Sequence, residues 1–115
     1  MERGTGTREQ EKQMPWLRVE IVRFVDETQP GVVECEFTDA NRRKHRVIDK
    51  VPVFSELDLW SDSKYPQPGV MSCKILETAR DESGHEIARI GSLETVDGET
   101  EFVVRRAQIV DDPSL

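Results

Sequence analysis

The sequence predicts an all-β domain, either a small six-stranded barrel or a two-sheet sandwich, built from two similar hairpin units. Apolar residues alternate with polar ones over several short segments, which is typical of strands with one buried face. Turn-forming residues separate these segments at regular spacing. A pattern that begins Gln29-Pro30-Gly31 largely returns at Gln67-Pro68-Gly69, with Cys35 and Cys73 at equivalent places in the strands that follow. We therefore expect each Pro-Gly pair to form a turn, and one closed β shell to enclose both thiols.

Length and composition fit one soluble domain. The chain has 115 residues, of which 36% are hydrophobic and 34% are charged. We expect a disordered tail over 1–15, a single β domain over 16–110 and a frayed C-terminus over 111–115. The N-terminal segment is polar, so we expect neither a secretory signal nor a transmembrane anchor, and two cysteines are too few for a disulfide scaffold. These features favour a cytoplasmic protein with reduced, buried thiols.

Six strands and one long loop account for most of the chain. The first strand alternates through Leu17, Val19 and Ile21 and then changes phase, as a bulge near Ile21 would cause. The long loop covers about 51–69, and its segment 55–60 fits either a short helical turn in a surface excursion or a counterpart of the first strand; the loop signals that follow favour the excursion. The six predicted strands cover 16–26, 31–38, 44–50, 70–80, 85–93 and 100–110.

The net charge of −7 is unevenly distributed along the chain. Segment 39–50 has five Lys or Arg against two Asp, whereas segment 81–101 has seven Asp or Glu against one Arg. If these segments lie apart, one side of the molecule is basic and another is acidic. An acidic protein is a poor candidate for binding duplex nucleic acid, because the phosphate backbone repels it at long range.

Few residues offer catalytic chemistry. His45 and His85 are the only imidazole bases, and their similar places in the two units favour a shared structural role over a catalytic one. The sequence shows no nucleophile motif and no glycine-rich phosphate loop, and the spacing of its cysteines and histidines does not match a zinc finger. We therefore predict that the protein is not an enzyme and has no catalytic residue, metal or cofactor.

The candidate contact residues form two groups. An aromatic and apolar group in the long loop either marks a partner or ligand surface or folds back as a lid over the core. A basic hairpin tip either is solvated or grips RNA, an acidic protein or the acidic second tip, at Asp81 and Glu82, of another copy. The first group is Phe54, Leu59, Trp60 and Tyr65, and the second is Arg42, Arg43 and Arg46.

These features favour a non-catalytic protein-binding module that uses the 54–66 loop and an acidic face. A basic partner suits that charge, and an immunity- or antitoxin-like protein that covers a cationic toxin is one version. The main alternative is a small-ligand-binding barrel with its site near the same loop, and an enzyme with a histidine at the barrel mouth is a third hypothesis. The general resemblance of the chain is to small bacterial β domains, and this resemblance implies no activity.

Overall fold

The computed structural model describes residues 15–112, and these residues form mostly β-strands. The predicted tail over 1–15 and the last three residues of the predicted C-terminal segment therefore lie almost wholly outside the described part. The strands are β1 Trp16–Asp26, β2 Val32–Thr38, β3 Lys44–Lys50, β4 Gln67–Ser72, β5 Lys74–Arg80, β6 Glu86–Gly91, β7 Glu101–Arg105 and β8 Ile109–Val110. A short helix α1, Val51–Phe54, follows β3, and a 3-10 turn, Arg106–Gln108, separates β7 from β8.

The strands form two antiparallel sheets. The first has the order β3-β2-β1-β4, and β8 pairs with the start of β1. The second has the order β5-β6-β7. The prediction of an all-β fold is confirmed, but the pairing of the described strands does not close into the expected barrel.

The first three strands follow the sequence prediction closely, and the register of β1 against β2 shifts just after Ile21, which confirms the predicted bulge. The expected continuous strand 70–80 is wrong. At Cys73 the chain leaves the first sheet and enters the second, and the Cys73 N–H donates a hydrogen bond to the Pro15 carbonyl. The predicted strand 100–110 is likewise interrupted, because the 3-10 turn ends β7 before β8 returns to the first sheet.

Buried residues from both sheets form one hydrophobic cluster, so the two sheets share a core. Cys35 and Cys73 both belong to it and both are free thiols, as the alternation of the sequence predicts. Burial raises the pKa of the Cys73 thiol to about 11, against a smaller opposing effect of Arg106. Burial raises the pKa of Cys35 further still, and the neighbouring Glu34 carboxylate adds to the effect.

The two Pro-Gly pairs play different roles. Gly31 has a φ of +97° and its N–H donates to the Thr28 carbonyl, so the first pair forms a turn as predicted. The second pair lies inside β4, where a Cβ at Gly69 would come within 2.9 Å of the Ile21 side chain. The expected second turn is therefore wrong, because glycine is needed there for close packing of β4 on the core.

The burial of both thiols predicts their reactivity. A thiol with a pKa near 11 is about one-thousandth ionised at pH 8, and the reactive species is the thiolate. We expect both Cys35 and Cys73 to resist a soluble alkylating reagent in the folded protein and to react at once in denaturant, with Cys73 the faster of the two in the folded state. Mass spectrometry of timed samples measures both rates. Rapid labelling of either cysteine under native conditions contradicts the shared core.

Candidate functional site

The turn between β2 and β3 and the turn between β5 and β6 have the same backbone design. The Asp39 N–H donates to the Arg43 carbonyl in the first turn, as the Asp81 N–H donates to the His85 carbonyl in the second. Each aspartate also accepts, through Oδ1, hydrogen bonds from two backbone N–H groups further along its own turn. His85 therefore corresponds to Arg43 and not to His45, so the two histidines do not hold equivalent places.

His45 lies between the two sheets with both ring nitrogens directed at carboxylates. Its Nε2 is 2.8 Å from Asp39 Oδ2, and its Nδ1 is 3.4 Å from Glu99 Oε1. The ring also packs against Phe37, at a centroid distance of 5.2 Å, and against Phe102, at 4.6 Å. Asp39 and Phe37 belong to the first hairpin, whereas Phe102 lies on β7 and Glu99 just before it. The buried imidazole thus joins the two sheets by polar and by apolar contacts.

The electrostatics of this cluster stabilise ionised Asp39. Partial burial acts to raise the pKa of its carboxyl group, but hydrogen bonds from His45 and from the backbone N–H groups of Arg43 and Asn41 outweigh that effect and lower the pKa below its ordinary value. His85 differs, because its side chain is exposed at the hairpin end and its Nδ1 lies 3.5 Å from Asp81 Oδ2.

This arrangement holds the fold together and offers no free base. Both ring nitrogens of His45 already face carboxylates, and neither cysteine is ionised near neutral pH. Within 15–112, no three His, Cys, Asp or Glu side chains are grouped to hold a metal ion. Sequence reasoning missed Asp39 and Glu99 as partners of His45, and only the Asp39-to-His45 spacing within one hairpin offered a signal.

The two matching turns provide an internal comparison for stability. We expect Asp39→Ala to lower the free energy of unfolding by about 2–3 kcal/mol, because it opens the turn and leaves the buried His45 without its partner. Asp81→Ala opens the same turn but leaves only the exposed His85 without its partner, so it should cost clearly less than Asp39→Ala. Urea unfolding of both variants at pH 7 makes the comparison.

The stability difference between wild type and Asp39→Ala depends on pH. Since the folded pKa of Asp39 lies below the unfolded value of 3.8, its contribution is complete above that value and is lost as pH falls through the lowered folded pKa. The difference between wild type and Asp39→Ala should therefore shrink in strong acid. Equal losses for the two alanine variants at pH 7 would contradict the role assigned to His45.

The basic hairpin tip contains Arg42, Arg43 and Lys44, a group that we call the basic tip. All three side chains are exposed, and the two arginines form no ion pair with any residue from 15 to 112, whereas Lys44 lies 3.4 Å from Glu36. Arg42 has a φ of +68°, in the left-handed region. The predicted contact residue Arg46 is instead engaged with Glu34, at 3.6 Å, a buried carboxylate that also binds Arg23.

Gly84 occupies the second turn at the place where Arg42 occupies the first, with a φ of +86°. We expect Arg42→Gly to stabilise the protein by up to about 1 kcal/mol, because it relieves the left-handed strain of a residue with a Cβ. Gly84→Arg should cost about 1 kcal/mol or more from backbone strain alone, since a Cβ there meets no atom within 4 Å. Thermal melts of the two variants show whether each substitution raises or lowers the melting temperature. A lower melting temperature for Arg42→Gly would refute the comparison of the two turns.

The four predicted contact residues of the 54–66 loop differ in exposure. Phe54 and Leu59 are buried in the core, so the core alternative holds for these two side chains. Trp60 is 55% exposed, and Tyr65 is half-buried with its hydroxyl donating to the Trp60 carbonyl at 2.7 Å. Segment 55–60 forms neither the short helical turn nor the strand that the sequence left open, because the helix ends at Phe54 and the next strand begins only at Gln67. The sequence alone could not show which of these four side chains are buried, because a core and a contact surface produce the same spacing of apolar residues.

Trp60 is held in place by its own backbone. Its N–H donates to Ser63 Oγ at 2.9 Å, and its carbonyl accepts from the Ser63 N–H at 3.1 Å. Tyr65 provides the third bond to this residue. The backbone that carries this exposed side chain is therefore pre-organised for contact, because little backbone entropy remains to be lost there.

A cleft of about 180 Å³, which we call the Trp60 cleft, lies beside this side chain. It brings together the end of β1, the turn before β2 and the long loop. Its lining residues are Phe24, Glu27, Gln29, Pro30, Gly31, Leu59, Trp60 and Ser61. Sequence reasoning missed the β1 and turn residues, because nothing local connects them to Trp60.

The surroundings of the Trp60 cleft are acidic. Segments 26–31 and 49–66 together contain six Asp or Glu and two Lys, which gives a charge of −4. Within the described part of the chain none of these six carboxylates forms an ion pair. Asp26 and Asp49 accept hydrogen bonds from neighbouring residues, and the other four accept none: Glu27, Glu56, Asp58 and Asp62. We call segments 26–31 and 49–66 the acidic end.

The acidic segment 81–101 does not form a separate face. The Val96 N–H donates to the Arg46 carbonyl, and Glu99 faces His45, so the loop before β7 lies against the basic hairpin. Arg89 binds Glu101 at 2.9 Å and Glu77 at 3.4 Å. The loop before β7 and the basic hairpin therefore do not lie apart, so the condition for one basic and one acidic side is not met by this part of the segment.

Comparisons with protein-family models, curated proteins and solved structures found no match to this chain. Over residues 15–112, no helix has the length and apolar character needed to cross a membrane.

Proposed function

We propose that this chain is a non-catalytic protein-binding domain that docks a basic partner at the Trp60 cleft and the acidic end around it. One observation carries the proposal: Trp60 is more than half exposed, and three hydrogen bonds fix its backbone beside an acidic stretch of chain. Glu27 lines the same cleft, Asp58 and Asp62 are two residues from Trp60 in the chain, and none of the three forms an ion pair within residues 15–112. Tryptophan is among the residues most enriched at the energetic centres of protein interfaces.

The charge of the site selects the partner. A surface with a charge of −4 attracts a cationic surface at long range and repels an acidic one. Trp60 adds a preference for arginine or lysine, because the face of an indole ring attracts a cation. A basic protein surface that carries one projecting cationic side chain matches both features.

The size of the cleft favours a protein partner over a small ligand. Pockets for small molecules commonly enclose roughly 300–1,000 Å³, and the Trp60 cleft has about 180 Å³. Two larger clefts, of about 370 and 310 Å³, lie along the exposed face of β1 near Arg18 and Glu20. A small-ligand domain that uses the first of these, next to Gln67 and Pro68, is the second candidate function.

Selection from a displayed peptide library followed by titration tests the proposal. We expect enriched peptides to be arginine- or lysine-rich and to quench Trp60 fluorescence in a Trp16→Phe background. Trp60→Ala should weaken their binding at least about tenfold, a hot-spot effect of about 1.4 kcal/mol. Asp58→Asn combined with Asp62→Asn should weaken it less, and the weakening should shrink as salt is added.

The control variant is Glu82→Gln, which neutralises an exposed carboxylate on the β5–β6 turn. It should leave peptide binding within about twofold of wild type, since the charge lies outside the acidic end. Enrichment of neutral or acidic peptides, or binding that survives Trp60→Ala, rejects the proposal.

A further inference from the structure

The basic tip and the Trp60 cleft lie at opposite ends of the first sheet. Strand β2 begins at Val32, opposite Asp26 and Lys50 at the acidic end, and finishes at Thr38 beside the tip. Seven residues of strand span about 20 Å, so the two surfaces cannot meet within one molecule.

The two surfaces are complementary in charge. Arg42 and Arg43 project from a narrow two-stranded hairpin and have no ion-pair partner among residues 15–112. The acidic end offers an exposed indole and unpaired carboxylates around a shallow cleft. A guanidinium group stacks on an indole face and binds a carboxylate through two parallel N–H groups, which lysine cannot do.

The backbone of the tip is strained at Arg42, whose side chain is exposed. Arg42 holds a left-handed conformation that Gly84 holds without strain in the matching turn. A residue kept at a strained position without an internal partner points to an external one. The matching turn lacks this feature, since a glycine holds the left-handed position there.

We propose that copies of this chain associate head to tail, with Arg42 and Arg43 of one copy docked in the Trp60 cleft of the next. This inference rests on the proposed function, because it names one basic partner of the same site. The contact joins two different surfaces, so it is heterologous and propagates into short open chains or a ring. It also places free copies in competition with any other basic partner for the cleft.

The acidic tip of the β5–β6 turn is the poorer complement. Both Asp81 oxygens are engaged within the turn or with His85, and the neighbouring Glu86 lies 3.8 Å from Arg80. Counting contacts with residues 15–112 only, Glu82 alone is free there, whereas Glu27, Glu56, Asp58 and Asp62 are free at the acidic end. The expected tip-to-tip contact is therefore replaced by a tip-to-cleft contact.

Complementary variants test this contact. The tip variant, Arg42→Glu with Arg43→Glu, reverses the charge of the basic tip and leaves the Trp60 cleft intact. The cleft variant, Trp60→Ala with Asp58→Lys, impairs the cleft and leaves the basic tip intact. At an ionic strength of about 0.01 M, where the Debye length is about 30 Å, wild type should show a mass that rises with concentration in sedimentation equilibrium. Each variant alone should remain a monomer, and an equimolar mixture should form a one-to-one dimer that grows no further. Glu82→Gln should associate as wild type does.

The outcomes separate this inference from the proposed function. The dimer of the mixture should weaken at least about tenfold at an ionic strength near 0.15 M, where the Debye length is about 8 Å. A wild type that stays monomeric at the highest soluble concentration, or a mixture that stays monomeric while wild type associates, overturns the head-to-tail contact. If cationic peptides still require Trp60 in that case, the proposed function stands alone. If neither peptides nor copies require Trp60, both fail.

Discussion

The contact between the two sheets at His45 is the interaction on which the rest of the structure depends. The imidazole is enclosed by two phenylalanine rings and two carboxylates, contributed by the β2–β3 hairpin and by the chain that leads into β7. Backbone hydrogen bonds from Ala40 to Val103 and from Val96 to Arg46 connect the same two parts. A buried polar cluster stabilises a fold only if its members find partners, and here Nε2 is 2.8 Å and Nδ1 is 3.4 Å from a carboxylate oxygen.

This contact also decides where charge remains available for binding. Because it draws the acidic loop before β7 against the basic hairpin, charges that look separate in the sequence are neighbours in space. Among residues 15–112, the carboxylates of the acidic end have no such neighbour, and neither do the arginines of the basic tip. The molecule is therefore polar along its first sheet, with an acidic end and a basic end, and binding surfaces follow from that polarity.

The sequence predicted local structure well and long-range structure poorly. Strands β1 to β3 and the burial of both thiols follow from alternation, since each strand has one face on the core. The break at Cys73 could not be predicted, because alternation continues unchanged through Met71, Cys73 and Ile75 while the chain changes sheets. The His45–Glu99 contact and the cleft lining likewise join distant segments, for which a single sequence contains no pairing signal.

Native-state hydrogen exchange tests most directly whether the two sheets form one cooperative unit through the His45 contact. The amides of Ala40 and Val96 donate across the junction, and the amide of Ile90 lies on the central strand of the second sheet. All three should exchange with the same free energy as the core of β1 and should respond together to denaturant, as expected for one cooperative unit. Exchange of the second sheet or of the junction amides at a clearly lower free energy than β1 would show that the sheets unfold separately, and it would contradict the account.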